Sequence, residues 1–173
     1  MFTNKARIFV AGLFVLIAVF AIQMKIYEIA AVAALFIGLL IWGYYKQGTV
    51  VLAAKAFHQK NYARAEELLK QVPNPNMLSK NRRGFYEFIY GGVCLQKQDF
   101  EQAENHYELA AQYPLRSAND HVAALVHVAN INVRNGNYEK ARAYLSLTDK
   151  HREHITAKMK DVIQKVEQEL KKH

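Results

Sequence analysis

Two stretches near the start of the chain carry no charge and no polar stripe. They are Ile8 to Met24 (IFVAGLFVLIAVFAIQM), held between Arg7 and Lys25, and Ile29 to Tyr45 (IAAVAALFIGLLIWGYY), held between Glu28 and Lys46. A helix buried in a soluble core normally keeps one polar face, so the pattern predicts a pair of transmembrane helices at about 8–24 and 29–45. Seventeen residues rise roughly 25 Å, at the short end for a hydrocarbon core of about 30 Å, so flanking lysines and aromatics must contribute to the span. Only KIYE, residues 25 to 28, separates the two stretches, which makes them antiparallel neighbours in a hairpin. A cleaved signal peptide, with VFA at 19 to 21 as its cleavage pattern, is the rival reading; the second apolar stretch that follows at once argues against it.

Beyond Lys46 the pattern changes to amphipathic helical periodicity with polar breaks, and it repeats. NYARA at 61–65, DFEQA at 99–103 and NYEKA at 137–141 place Tyr62, Phe100 and Tyr138 at intervals of 38 residues, and Ala65, Ala103 and Ala141 likewise. A fixed period of this length is the mark of a repeat architecture. Each signature follows a predicted first helix, at 49–60, 85–98 and 121–136. Each of those helices holds a small residue at the same place: Ala53, Gly91 and Ala129. Each signature opens a second helix, whose alanine is followed four residues later by Leu69, Tyr107 or Leu145; offsets of three and four share one helix face. VPNP at 72–75 and YPLRSAND at 113–120 supply the breaks, since proline ends helices and Asn, Asp and Ser cap the next. Last, Ile155, Met159, Val162, Ile163, Val166 and Leu170 recur at helical spacing and predict an amphipathic helix at about 154–172 that caps the array, with a membrane-surface helix as the alternative.

In this arrangement the units resemble tetratricopeptide repeats, which place small residues at the eighth and twentieth positions, an aromatic near the seventeenth and a bulky residue at the twenty-fourth. The resemblance covers about residues 46 to 151, in units near 46–78, 84–116 and 122–151. The period of 38 exceeds the family's usual value of about 34, which assigns four extra residues to the loops between units. Only the third unit keeps the turn glycine, Gly136. The expected fold is all-α: a membrane anchor over 1–45 and, over 46–173, an α-α superhelix of about three helix-turn-helix units with a C-terminal capping helix.

Charge refines the picture. From Lys46 onward the chain holds 20 Lys and Arg against 14 Asp and Glu. The excess fits an anionic lipid surface or an ordinary soluble face. Its one dense cluster, SKNRR at 79–83, lacks the interleaved aromatics of a nucleic-acid platform, so nucleic acid is not expected. Lys5 and Arg7 precede the first span and Lys46, Lys55, Lys60 and Arg64 follow the second, whereas the connection has only Lys25. The positive-inside rule then puts both termini and the repeats on the cytoplasmic side. The expected location is a bacterial inner (plasma) membrane.

No glycine-rich phosphate loop, nucleophile elbow or cysteine pair is present, so neither an enzyme nor a cofactor is expected. His151 with His154, and His121 with His127, lack the carboxylate or cysteine that would complete a metal site. The lone Cys94 falls on a packing face and is read as a buried small residue. What the resemblance implies is binding, because in the family the first helices of successive units line a groove. Carried over, that groove comprises Phe57 and His58; Phe85, Phe88, Ile89, Gly92 and Leu95; and Val126, His127, Asn130, Val133 and Arg134. Its aromatics favour an apolar or aromatic segment of a protein partner over an acidic C-terminal peptide. The expected function is a membrane-anchored scaffold or adaptor. It would bind a protein or peptide, foremost a juxtamembrane segment of another membrane protein, and contact lipid through residues 8–45; self-association is a further partner class. A structural or assembly subunit of a larger membrane complex is the alternative.

Overall fold

A computed structural model describes residues 4–172 of the chain. Nine α-helices follow one another among those residues, and no strand occurs there. The first two, α1 (Asn4–Gln23) and α2 (Tyr27–Gln47), pack against each other as a hairpin, joined through Met24 to Ile26 with Lys25 at a positive φ. The rings of Phe14 and Phe36 stack 5.1 Å apart, and Ala21 and Ala33 are buried at the seam. Small residues there let the two backbones approach. Every other direction from the hairpin is apolar and uncovered, with Phe9, Leu16, Phe20, Leu35 and Trp42 each more than half exposed.

The hairpin does not run smoothly into the repeats. Gly48, at φ 55 and ψ −157, ends α2, and α3 (Val50–His58) starts two residues later. A Cβ at Gly48 would stand 3.2 Å from Leu78 and from Val72, so the break is also a tight packing point. Two further bonds fix it: the Thr49 hydroxyl donates to the Leu68 carbonyl, and the Ser79 N–H donates to the Lys46 carbonyl at 3.1 Å. The end of the hairpin is thereby tied to the first and second units.

From α3 onward the helices alternate as the 38-residue period requires. In the first unit α3 pairs with α4 (Tyr62–Lys70); in the second, α5 (Lys80–Gln96) with α6 (Phe100–Ala111); in the third, α7 (Ala118–Arg134) with α8 (Tyr138–Ser146). The side chains of Asn61 and Asp99 accept from N–H groups in the first turns of α4 and α6, and Ser117 caps α7 in the same way. Ala53 and Ala129, with Ala65, Ala103 and Ala141, are fully buried where paired helices cross. At Gly91 a Cβ would lie 3.1 Å from the ring of Tyr107, so the large residue of one helix fills the gap left by the small residue of its partner. Leu69 and Leu145 are buried at the places equivalent to Tyr107.

The core is segmented accordingly. One apolar cluster joins α3 and α4 to α5, a second joins α5 and α6 to α7, and a third joins α7 and α8 to α9 (Ala157–Leu170). Each unit is stabilised by its neighbours, which is the energetic character of a solenoid. The capping helix buries Ile163, Val166 and Leu170, with Ile155 just before it, at roughly 1.5–3 kcal/mol each. Val162, expected on the buried stripe, lies on the exposed side.

Three boundaries differ from the sequence reading. The hairpin helices extend beyond the apolar stretches at most ends, through polar residues that still carry helical geometry. The capping helix is shorter than 154–172 because Thr156 caps its start, its hydroxyl accepting from the Met159 N–H, and Lys171 stands at its C-cap. The first helices of units two and three start earlier than expected. Both α5 and α7 begin four residues ahead of the expected boundaries at 84 and 122, so about one helical turn stands where the sequence reading expected loop.

Candidate functional site

A wide concavity lies between the first helices of units one and two. On α3, Val51, Ala54, Lys55 and His58 share one face; on α5, Asn81, Arg82 and Phe85 oppose them, and Arg116 reaches in from the connection between α6 and α7. The groove has a volume of about 810 Å³. Its floor is apolar, with the Phe85 ring stacked on that of Phe88 at 6.5 Å and the Arg116 guanidinium 5.8 Å above Phe85. Its walls are cationic. Lys55, Arg82 and Arg116 line it together with His58, and no carboxylate does. Arg116 has an outlying partner in Asp120 at 3.4 Å, whereas Lys55 and Arg82 have no ion pair among the described residues.

Most of the predicted groove residues fall into three groups. His58 and Phe85 line the groove just described. Phe57, Phe88, Leu95 and His127 are half-buried wedges between helices. The Phe57 ring would come within 2.5 Å of a Cβ at Gly92, and Phe88 meets Tyr107 edge-on at 5.6 Å. His127 stacks on Tyr107 at 4.5 Å, and burial pushes its pKa down to about 4, so it is a neutral packing group at neutral pH. Asn130 and Arg134 are exposed on α7, with the Arg134 guanidinium 4.4 Å over Phe100.

Ile89 and Val126 belong to none of these groups, and here the sequence reading is corrected. Ile89 is 1% exposed and turns toward α3 and α4; Val126 is 5% exposed in the cluster shared with the capping helix. Gly92 and Val133 are buried as well. A first helix in this stack is covered by its own partner helix and by the next element, which leaves a narrower open face than helical spacing alone implied.

Sequence reasoning missed a buried ion-pair network behind the groove. Glu87 is 1% exposed; Arg83 meets one of its carboxylate oxygens at 2.6 Å and His106 Nδ1 the other at 2.5 Å. Arg83 also donates to Asn76 at 2.9 Å and lies about 6.0 Å from the rings of Tyr86 and Tyr113. In that setting burial, reinforced by Tyr90 and Glu87, drives the Tyr86 phenol up to about 12. Arg83, counted in the sequence as part of a basic cluster, is therefore spent internally. The signal available was its i,i+4 spacing to Glu87.

Glu66 and Glu104, one period apart, tie adjacent units together. Glu66 accepts from Lys70 and Lys97, which hold its carboxyl below the ordinary range; Glu104 accepts from Asn132 at 2.7 Å and Lys140 at 2.6 Å. Cys94 is buried, and burial raises its thiol pKa, so it is poorly suited to nucleophilic work. His121 and His151 approach to 4.9 Å between ring centres, but no group of three or more His, Cys, Asp or Glu among the described residues is placed to hold a metal ion.

Residues 44–164 match the family described as the SusR N-terminal TPR domain. The chain belongs to that family. The match covers more than half of the chain, beginning in the last turn of α2 and ending inside α9, so the tetratricopeptide stack is a family feature while most of the hairpin lies outside the matched region. No curated protein and no solved structure matches the chain. Tetratricopeptide domains are typically interaction modules rather than catalysts.

Proposed function

We propose that the chain is a membrane-anchored interaction scaffold whose tetratricopeptide stack holds a protein partner beside the bilayer. The observation that carries this reading is the uncovered apolar surface of the α1–α2 hairpin, joined by only two residues to the stack. Tyr27–Lys46 is long and apolar enough to cross a membrane, and Ile8–Gln23 is a shorter apolar stretch beside it. At about 1.5 Å per residue the 21 residues of α2 rise roughly 31 Å, close to the hydrocarbon thickness. The cations after α2, against the lone Lys25 in the connection, support a cytoplasmic stack in a bacterial inner membrane.

The partner surface in this proposal is the open part of the first-helix face, Asn130 and Arg134 on α7. A juxtamembrane segment of another membrane protein fits a stack held this near the bilayer. The test is affinity capture of the full-length protein from detergent-solubilised membranes, after alkaline carbonate washing shows that it is retained there. One or a few partners should come down in fixed proportion and be lost from Asn130→Arg and Arg134→Glu variants. Release by carbonate would refute the anchor, and equal recovery with both variants would refute the surface.

One observation favours a second reading, that of an assembly subunit held through its membrane helices. Gly12, Gly38 and Gly43 each face open space in which an added Cβ would meet nothing within 4 Å. Small residues on an outer face allow another membrane helix to pack closely. A large complex that persists in detergent with Asn130→Arg and Arg134→Glu, but dissociates with Gly38→Leu, would select it.

A further inference from the structure

We infer that the groove between α3 and α5 is a binding site for the phosphate of an anionic phospholipid at the bilayer surface. This rests on the proposal that the hairpin spans the membrane. The position of the groove argues for it first. The Ser79 N–H is bonded to the Lys46 carbonyl at 3.1 Å, so the start of α5 is fixed against the end of α2. Arg82 lies three residues further, a rise of roughly 4.5 Å, and Lys55 five residues past Val50, roughly 7.5 Å. The headgroup layer beyond each side of the hydrocarbon core is about 5–8 Å deep. Both cations therefore fall within the depth of the phosphates.

Charge argues for it next. The groove holds no carboxylate, and Lys55 and Arg82 have no ion pair among the described residues, in contrast to Arg83 one position away. Lysine and arginine at this level of a membrane are drawn to anionic lipid by about 1 kcal/mol each. The floor of Val51, Ala54 and Phe85 supplies apolar contact for the glycerol and the first acyl carbons below a phosphate. A soluble acidic peptide would meet the same cations, but nothing about a peptide requires the site to open at the end of a membrane helix.

The single tryptophan, Trp42, is exposed near the end of α2 and reports on its neighbouring lipid. Full-length protein is reconstituted into vesicles of phosphatidylcholine and phosphatidylglycerol in equal parts, with one or the other brominated in its acyl chains. Brominated phosphatidylglycerol should quench Trp42 with an apparent preference of roughly fivefold or more. Lys55→Gln with Arg82→Gln, at unchanged helicity by circular dichroism, should bring the preference to unity, while Lys158→Gln on the capping helix leaves it intact. If neither lipid quenches, the membrane reading fails and the inference falls with it. Equal quenching by both lipids in the wild type keeps the anchor and overturns the lipid site. So does a preference that survives the double variant, or one lost as readily with Lys158→Gln. An oligoglutamate peptide that binds the wild type but not the double variant, with no lipid preference, would reassign the groove to acidic protein segments.

Discussion

The three turns inside the repeat units form a built-in comparison of glycine with other residues in one backbone conformation. Lys60, Gln98 and Gly136 stand 38 residues apart and adopt φ values of 60, 63 and 79. All three close the same helix ending. The N–H groups of Asn61, Asp99 and Asn137 donate back to the carbonyls of Ala56, Cys94 and Asn132, and the turn residue itself donates to Phe57, Leu95 or Val133. This is the Schellman arrangement, which places its C′ residue in the left-handed region, where a side chain costs about 1–2 kcal/mol. Glycine avoids that cost but loses more freedom on folding, by roughly 0.5–1 kcal/mol. Lys60→Gly and Gln98→Gly should therefore each stabilise the stack by about 0.5–1 kcal/mol, and additively, because the turns belong to different units. Neither side chain has a hydrogen-bond or ion-pair partner among the described residues, so little is lost on truncation. Gly136→Ala should destabilise by a similar amount or slightly more. Nothing lies within 4 Å of a Cβ there, so the effect is backbone strain alone. For a chain of this size 1 kcal/mol moves the melting temperature by roughly 2–4 °C. Thermal melts followed by circular dichroism in mild detergent would read the shifts, with Lys60→Ala as a near-neutral control because it keeps the strain. A Gly136→Ala variant that melts at or above the wild type, or glycine at 60 and 98 lowering the melt, would refute the reasoning.

Three other outcomes follow from the packing. Because folded His127 has its pKa lowered to about 4 while the unfolded value is near 6.5, the unfolded chain takes up the proton first. Its contribution is then complete above about pH 6.5 and is lost as pH falls toward 4, on the order of 3 kcal/mol in all; denaturant melts of His127→Phe should lack this share of the acid destabilisation. Gly92→Ala forces a methyl to within 2.5 Å of the Phe57 ring and should cost roughly 1–3 kcal/mol, relieved in the double variant with Phe57→Leu and measurable as a coupling energy in chemical denaturation. Glu87→Ala leaves Arg83 and His106 without their shared carboxylate and should cost about 3–5 kcal/mol in the same assay, whereas Arg83→Met with Glu87→Leu together should cost far less.

What the sequence made legible was whatever depends on spacing along one helix. The alanines at 65, 103 and 141, the small residues at 53, 91 and 129 and the buried stripe of α9 apart from Val162 all follow from which residues share a face. The groove did not, because its lining comes from α3, α5 and a loop one unit further on, and periodicity does not say which side chains from separate helices converge or what charge they bring. Aromatic residues at 57, 85 and 88 pointed toward an apolar groove. In the structure Phe57 and Phe88 turn into the helix crossings and leave Lys55, Arg82 and Arg116 around Phe85.

The departure from the family's period contributes to the charge there. One added turn at the start of α5 brings Lys80 to Arg83, and one at the start of α7 brings Ala118 to His121. From the first comes Arg82 on the open side and Arg83 on the closed side, where it neutralises Glu87; from the second comes Asp120, which holds Arg116 at the groove's edge. In the first unit the corresponding stretch is the end of α2 and the break at Gly48. Of the three Lys and Arg side chains around the groove only Arg82 comes from these turns; Lys55 lies on α3 and Arg116 in the connection between α6 and α7. The early turn of α5 thus supplies part of one groove wall through Arg82, while Arg83 ties the same turn to the interior of the stack.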